Sequence, residues 1–334
     1  MLMRDLALLP KAHLHVHLEG AMRPSTLADL SAAAGYAVPP TGTFGSFDQF
    51  IDTYVAACAV LRTEADLRRL VDEVVADAAH AGAVWIEPTT YIPNHRDRLG
   101  NDEAVLEIIL DELARASCRH NVGTGLVMSS NRTLDPHIAE EQARLAVRYA
   151  ADGVVGFGLV NDETNHPPEP FSTAFRIAIE GGLLSVPHAG ELEGPASVYG
   201  ALTALSASRI QHGVRAVEDP DLVVRLAEAG VCLDVCPTSN VALSVVDDLA
   251  HHPLPDLLAA GVACSINADD PLLFGPGLLE EYESCRREMG LTDDQLAAVA
   301  QTSITASGAP DAMKARATNS VDAWLRTNGA DAVA

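Results

Sequence analysis

The chain has 334 residues, 48% hydrophobic and only 4% aromatic, and its 46 acidic side chains outnumber 22 basic ones for a net charge of −24. This length accommodates one large α/β domain or two smaller ones, and so acidic a surface repels phosphate backbones and anionic lipid, which argues against nucleic-acid or membrane-surface partners. No apolar run reaches the ~18 residues of a membrane span, and the first residues lack a signal-peptide core, so a cytoplasmic protein is expected.

Eight short, β-prone apolar runs punctuate the chain: AHLHVHL (12–18), AVWIEPTTYI (83–92), VGTGLVM (122–128), VVGFGLV (154–160), LLSVPHAG (183–190), RIQHGV (209–214), VCLDVC (231–236) and ACSIN (263–267). Between them run Ala/Leu/Glu/Arg-rich segments with helical periodicity, such as EADLRRLVDEVVADAAHAG. Several stop at a glycine before the next strand: Gly82, Gly181, Gly182, Gly230 and Gly261. Strands alternating with helices imply a parallel sheet, and eight such units imply a closed (β/α)₈ TIM barrel more than an open doubly wound sheet. No GxGxxG or P-loop motif follows any strand, which weakens the open-sheet alternative.

Two segments interrupt the repeat. Residues 38–62 form an insertion after the first helix, with an amphipathic stretch FDQFIDTYVAA, and residues 276–327 are helical beyond the last strand. No Gly/Pro/Ser-rich linker marks a boundary, so residues 1–334 read as one domain, with the tail NGADAVA frayed. The six cysteines, Cys58, Cys118, Cys232, Cys236, Cys264 and Cys285, are scattered in mostly apolar surroundings, as reduced thiols rather than a disulfide framework.

Active sites of parallel barrels form at the C-terminal ends of the strands. The first strand carries HLHVHLEG, with His13, His15 and His17 at alternate positions, pointing to one face, and Glu19 beyond them. The fifth ends in PHAGE (His188, Glu191), the sixth in QHG (His212) and the eighth in NADDP (Asp269, Asp270). Each element alone is commonly structural; their coincidence at one rim points to a metal site. Two histidines from the first strand, His188 across the barrel and Asp269 offer three nitrogens and one oxygen, a set that suits zinc or a similar divalent ion with a position left for water. Glu191 is placed to donate a proton, His212 to take or steer one, and Asp270 to orient substrate or water. That is metal-assisted hydrolysis at an electrophilic carbon.

The order PKAHLHVHLEG, HAGE, HG, CPTSN, NADDP resembles the adenosine deaminase family of the amidohydrolase superfamily, from Pro10 to about Gly290. The resemblance implies that His15, His17, His188 and Asp269 bind one Zn²⁺ per chain, with His13 a neighbour rather than a ligand. It implies that Glu191 protonates purine N1 while an activated water attacks C6, that His212 is the base, and that Asp270 bonds N7. It makes FDQFIDTYVAA a gate helix presenting Phe47, Phe50, Ile51 and Tyr54 over the pocket. The cytidine-type zinc deaminases are excluded, because the chain has no PCxxC.

Three departures bear on the substrate. Glu19 stands where nucleoside deaminases usually have the Asp that contacts the ribose 5′-hydroxyl, and is similar to what base-specific adenine deaminases carry. Asn161 stands where the family often has a Gly whose N–H meets N3. The strand IEPTTYIP lacks the Arg common after its Glu. The expected substrate is a 6-aminopurine nucleoside, adenosine or a near relative; the alternative is free adenine or a 5′-modified nucleoside such as aminodeoxyfutalosine. Substrate contacts are expected from His17, Glu19, Phe50, Tyr54, Asn161 and Asp270. A different barrel metallohydrolase, with a second metal and a carboxylated Lys on the fourth strand, is disfavoured because GFGLV has no Lys. A purine-binding protein without catalysis is disfavoured because no catalytic position is lost. Nothing in the sequence indicates an oligomeric state.

Overall fold

The structure is a computed structural model, and it describes residues 3–42 and 44–326. The expected tail, NGADAVA, lies outside the described residues. All eight expected runs form strands: β1 (Lys11–His17), β2 (Ala83–Thr90), β3 (Leu126–Asn131), β4 (Val154–Val160), β5 (Leu184–Ala189), β6 (Arg209–His212), β7 (Cys232–Val235) and β8 (Cys264–Ile266). They pair in sequence order, every pair parallel, each strand linked to the next by at least one helix. The run 122–128 divides: a two-residue strand, Gly123–Thr124, pairs with β2 before β3 begins at Leu126.

The ring closes between β8 and β1 mainly through a side chain and one bridge. Asn267 Oδ1 accepts from Leu14 N (2.7 Å) and His15 N (3.1 Å), standing in for a ladder carbonyl. Two residues on, His17 N donates to Asp269 O and Asp269 N to His15 O, at 2.9 and 3.1 Å. This closure lays Asp269 beside both histidines and gives the fold as a (β/α)₈ barrel.

The barrel floor is polar rather than aliphatic. Arg209 on β6 donates to Glu87 of β2 at 2.6 Å and to Asp234 of β7 at 2.9 Å, and all three are inaccessible to solvent. Trp85 Nε1 donates to Glu87, Ser265 Oγ to Asp234, and Arg209 Nη1 to the carbonyl of Ala306 at the end of helix Asp293–Ala306. A buried ion group of this kind persists only when its remaining lone pairs and protons are bonded in this way.

The insertion after α1 (Pro24–Ala34) forms the expected helix, α2 (Phe47–Cys58), capped by Ser46, whose hydroxyl accepts from Gln49 N. α3 (Glu64–His80) follows, opened by a Thr63/Asp66 capping box. Helices Leu278–Glu288, Asp293–Ala306 and Asp311–Arg326 account for the helical segment after β8. No helix among the described residues is long and apolar enough to cross a membrane.

Candidate active site

His15 and His17 reach the barrel mouth together, with ring centroids 5.7 Å apart. His13 departs from the expected common face. The register of β1 against β2 slips between His13 and Val16, so the two-residue alternation breaks there. His13 Nε2 accepts from Ala268 N, and His13 and Val16 both line a separate cavity against α1 and α3.

Four ligand-type atoms converge above β1. Asp269 Oδ1 lies 3.2 Å from both His15 Nε2 and His17 Nε2, and His17 Nε2 lies 3.3 Å from His188 Nε2. In two of the three rings the other nitrogen is bonded: His15 Nδ1 donates to Asp234 O (2.9 Å) and His188 Nδ1 to Leu159 O (3.1 Å). Both rings therefore aim an Nε2 lone pair at the centre, the arrangement that orients metal-binding imidazoles. His15 Nε2 is buried with no hydrogen bond. Buried lone pairs facing one another call for a cation, and three imidazoles with one carboxylate match a divalent ion of the zinc type. His212 also stands near the cluster, with Nε2 3.8 Å from Asp269 Oδ2. Ser239, in CPTSN at the start of the helix after β7, donates its hydroxyl to Asp269 Oδ2 at 2.6 Å.

The titrating groups are driven apart. Burial alone would raise the Asp269 carboxyl, but the imidazoles of His15, His17 and His212 hold it well below the usual range. Burial, reinforced by Asp269 and Glu163, pushes Glu191 well above it. Burial, with Asp269 and Glu19 nearby, pushes Asp270 up against the opposing pull of His17. Burial and its imidazole neighbours keep His188 neutral, and burial lowers His212 to about 3. Two carboxyls that keep a proton beside one that does not is an acid–base division of labour.

His212 lies 3.4 Å from Glu191 through Nε2, and its backbone sits at φ 63°. A relay sets its tautomer. Leu254 N–H donates to His252 Nδ1, so His252 carries its proton on Nε2 and gives it to Asn240 Oδ1 at 3.1 Å. The Asn240 amide nitrogen then donates to His212 Nδ1 at 3.2 Å. In this arrangement neutral His212 presents an N–H at Nε2, toward Glu191 and Asp269.

Beside the cluster opens a cleft walled by α2 on one side and by strand ends on the other. His17, Phe50, Tyr54, Asn161, Glu191, His212 and Asp270 all line it. Phe50 stacks on Phe274, with centroids 5.3 Å apart. Asn161 adopts φ 82° and its Oδ1 accepts from Asp162 N, so its side chain is turned back on its own loop. Glu19 does not line the cleft. It is 1% exposed, and its carboxylate accepts from Tyr54 Oη (2.8 Å), Thr90 Oγ1 (2.7 Å) and His95 Nε2 (2.6 Å). Tyr54, which bonds Glu19, lines the cleft in front of it.

Ser239, Asn240, His252, Glu163 and Arg132 complete the site and were not singled out by their residue chemistry. CPTSN carried signal only as part of a motif order, and Glu163 could have been noticed as a carboxylate at a strand end.

The fold is a (β/α)₈ barrel whose mouth gathers His and Asp side chains of the kind that could hold a metal ion. Residues 10–324 match the adenosine deaminase family model, and the chain belongs to that family of hydrolytic deaminases. It is 45% identical to a putative adenosine/adenine deaminase of Streptomyces virginiae, over 96% of this chain and 98% of the relative. It is 39% identical to an aminodeoxyfutalosine deaminase of Streptomyces avermitilis, over 95% and 92%. The crystal structure of adenine deaminase from Arthrobacter aurescens superposes with a TM-score of 0.89 at 32% identity, covering 95% of this chain and 99% of that one.

Proposed function

We propose that the protein is a zinc-dependent hydrolase that replaces the 6-amino group of a purine with oxygen, releasing ammonia. The observation that carries this reading is the convergence of three imidazole Nε2 atoms and Asp269 Oδ1 within reach of Glu191 and Asp270. His15, His17, His188 and Asp269 would hold the ion. When bound, it supplies a water acidified toward neutral pH. Glu191 gives its carboxyl proton to N1, which makes C6 electrophilic as water adds there. Asp270 keeps a proton to donate to N7. His212 donates from Nε2 and steadies the incoming oxygen. Of the two protons the water brings, one goes to the departing amino nitrogen, which leaves as ammonia, and the other restores the Glu191 carboxyl as C6 becomes a carbonyl. Phe47, Phe50 and Ile51 of α2 supply the apolar wall that excludes bulk water.

The engaged state of Glu19 favours a substrate that needs no carboxylate for a ribose 5′-hydroxyl. Free adenine or a 5′-substituted nucleoside fits that wall better than unmodified adenosine. Chelator-treated protein should lose ammonia release, and Zn²⁺ should restore it. Metal-loaded protein should turn over adenine or aminodeoxyfutalosine faster than adenosine. Ammonia from none of the three would sink the reading, and a strong preference for adenosine would overturn its sugar-side part.

A further inference from the structure

The segment that leaves β5 carries Glu191, and four successive backbone N–H groups along it point at one side chain. Glu163 Oε1 accepts from Gly190 N at 2.9 Å. Its Oε2 accepts from Glu191 N (2.9 Å), Leu192 N (2.7 Å) and Glu193 N (3.0 Å). The Ser197 hydroxyl adds a fifth donor, at 2.6 Å to Oε1. Glu163 is 2% exposed and does not line the cleft. Consecutive amides of this kind form an anion-binding nest, and here the anion is part of the same chain. Arg132, also buried, holds the other end of the segment. Its Nη1 donates to His188 O at 3.2 Å and stands 3.6 Å from Glu163 Oε1.

We propose that Glu163 is a positioning residue for the deamination: by gathering the amides of 190–193 it sets where the Glu191 carboxyl stands relative to the purine. This rests on the reading of Glu191 as proton donor. The physical reason is that the loop has no strand or helix of its own, since it runs between β5 and the helix beginning at Pro195. Five charge-assisted hydrogen bonds to one carboxylate replace that regular structure. A glutamine at 163 has the same shape but only one accepting oxygen. If that oxygen serves the three amides on the Oε2 side, the NH₂ group faces the Gly190 N–H head-on. The loop then loosens without a cavity being made.

The test is a double-mutant cycle on the metal-loaded enzyme, reading ammonia release on its best 6-aminopurine. Glu163→Gln should lower kcat by about 10²-fold, the scale of a 1 Å misplacement, with KM and bound metal little changed. Glu191→Gln should lower kcat by about 10²–10⁴-fold. The double variant should be no slower than Glu191→Gln alone, because groups that act as a unit are not additive. Multiplicative losses, or a Glu163→Gln enzyme with normal kcat beside a slow Glu191→Gln, would overturn this inference and leave the proton-donor reading standing. A fully active Glu191→Gln enzyme would overturn both. Should Glu163→Gln fail to fold, Ser197→Ala carries the same cycle. It removes one of the five donors and should give a smaller kcat loss, equally absent in the Glu191→Gln background; a loss that persists there counts against the proposal.

Discussion

Gly20 and Asp270 meet with no room for a methyl group. A Cβ at position 20 would fall 1.6 Å from Asp270 Oδ1, an oxygen that is buried without a hydrogen bond. Glycine is therefore required here by the carboxylate it faces rather than by a turn. Gly20→Ala should keep the metal, because Asp270 is not among the four converging ligands, yet push the Asp270 carboxyl out of place. Steady-state kinetics should show kcat/KM for deamination down by about 10²-fold, with metal content unchanged. Normal kinetics in that variant would mean that the position of Asp270 is unimportant. The same fine scale explains His212. Its place at a strand end was legible from QHG, but its protonation pattern was not, because it is set by His252 and Asn240, which the chain supplies from elsewhere.

α2 is the element that distinguishes the mouth of this barrel. Its residues Phe47, Phe50, Ile51, Tyr54 and Val55 all face the cleft. The helical spacing of FDQFIDTYVAA made an apolar face readable; that it would lie over a pocket came only from the family resemblance. The hydrogen bond from Tyr54 to Glu19 was not readable, because it joins α2 to the turn after β1 through space. Tyr54→Phe removes one of three donors from a buried carboxylate. It should cost about 1–3 kcal/mol of stability, visible as a lower Tm. It should also raise the adenosine-to-adenine ratio of kcat/KM, because the Glu19 carboxylate then turns toward the cleft. An unchanged ratio would show that the seal over Glu19 does not select the substrate. Among the strands, all eight were legible as short apolar runs with turn signals. The slip within β1 was not, because a register shift belongs to the pairing with β2 and leaves HLHVHLEG looking like unbroken alternation.

For the whole molecule, a large charge and a buried acidic group bear on stability. Glu281, on helix Leu278–Glu288, is buried, and burial raises its carboxyl from 4.5 to about 8, against weak hydrogen bonds from Thr238 N at 3.3 and 3.4 Å. The folded protein thus holds this proton between pH 4.5 and 8, while the unfolded chain has released it. The folded state binds more protons over that window, so this group lowers stability as pH rises from 4.5 to 8 and imposes its full cost above 8. Glu281→Gln should melt like the parent near pH 4.5. Above pH 8 it should melt several degrees higher, for a difference on the order of a few kcal/mol. Thermal melts at the two pH values decide it, and equal Tm differences at both would exclude the linkage.

The Arg209–Glu87–Asp234 group also has a consequence for traffic. Bonded charge fills the barrel beneath the His/Asp cluster, while the cleft lined by Tyr54 and Phe50 opens beside that cluster. On the proposed reading, the purine enters and both products depart through that cleft, so bulk added to Tyr54 or Phe50 would slow entry and release together.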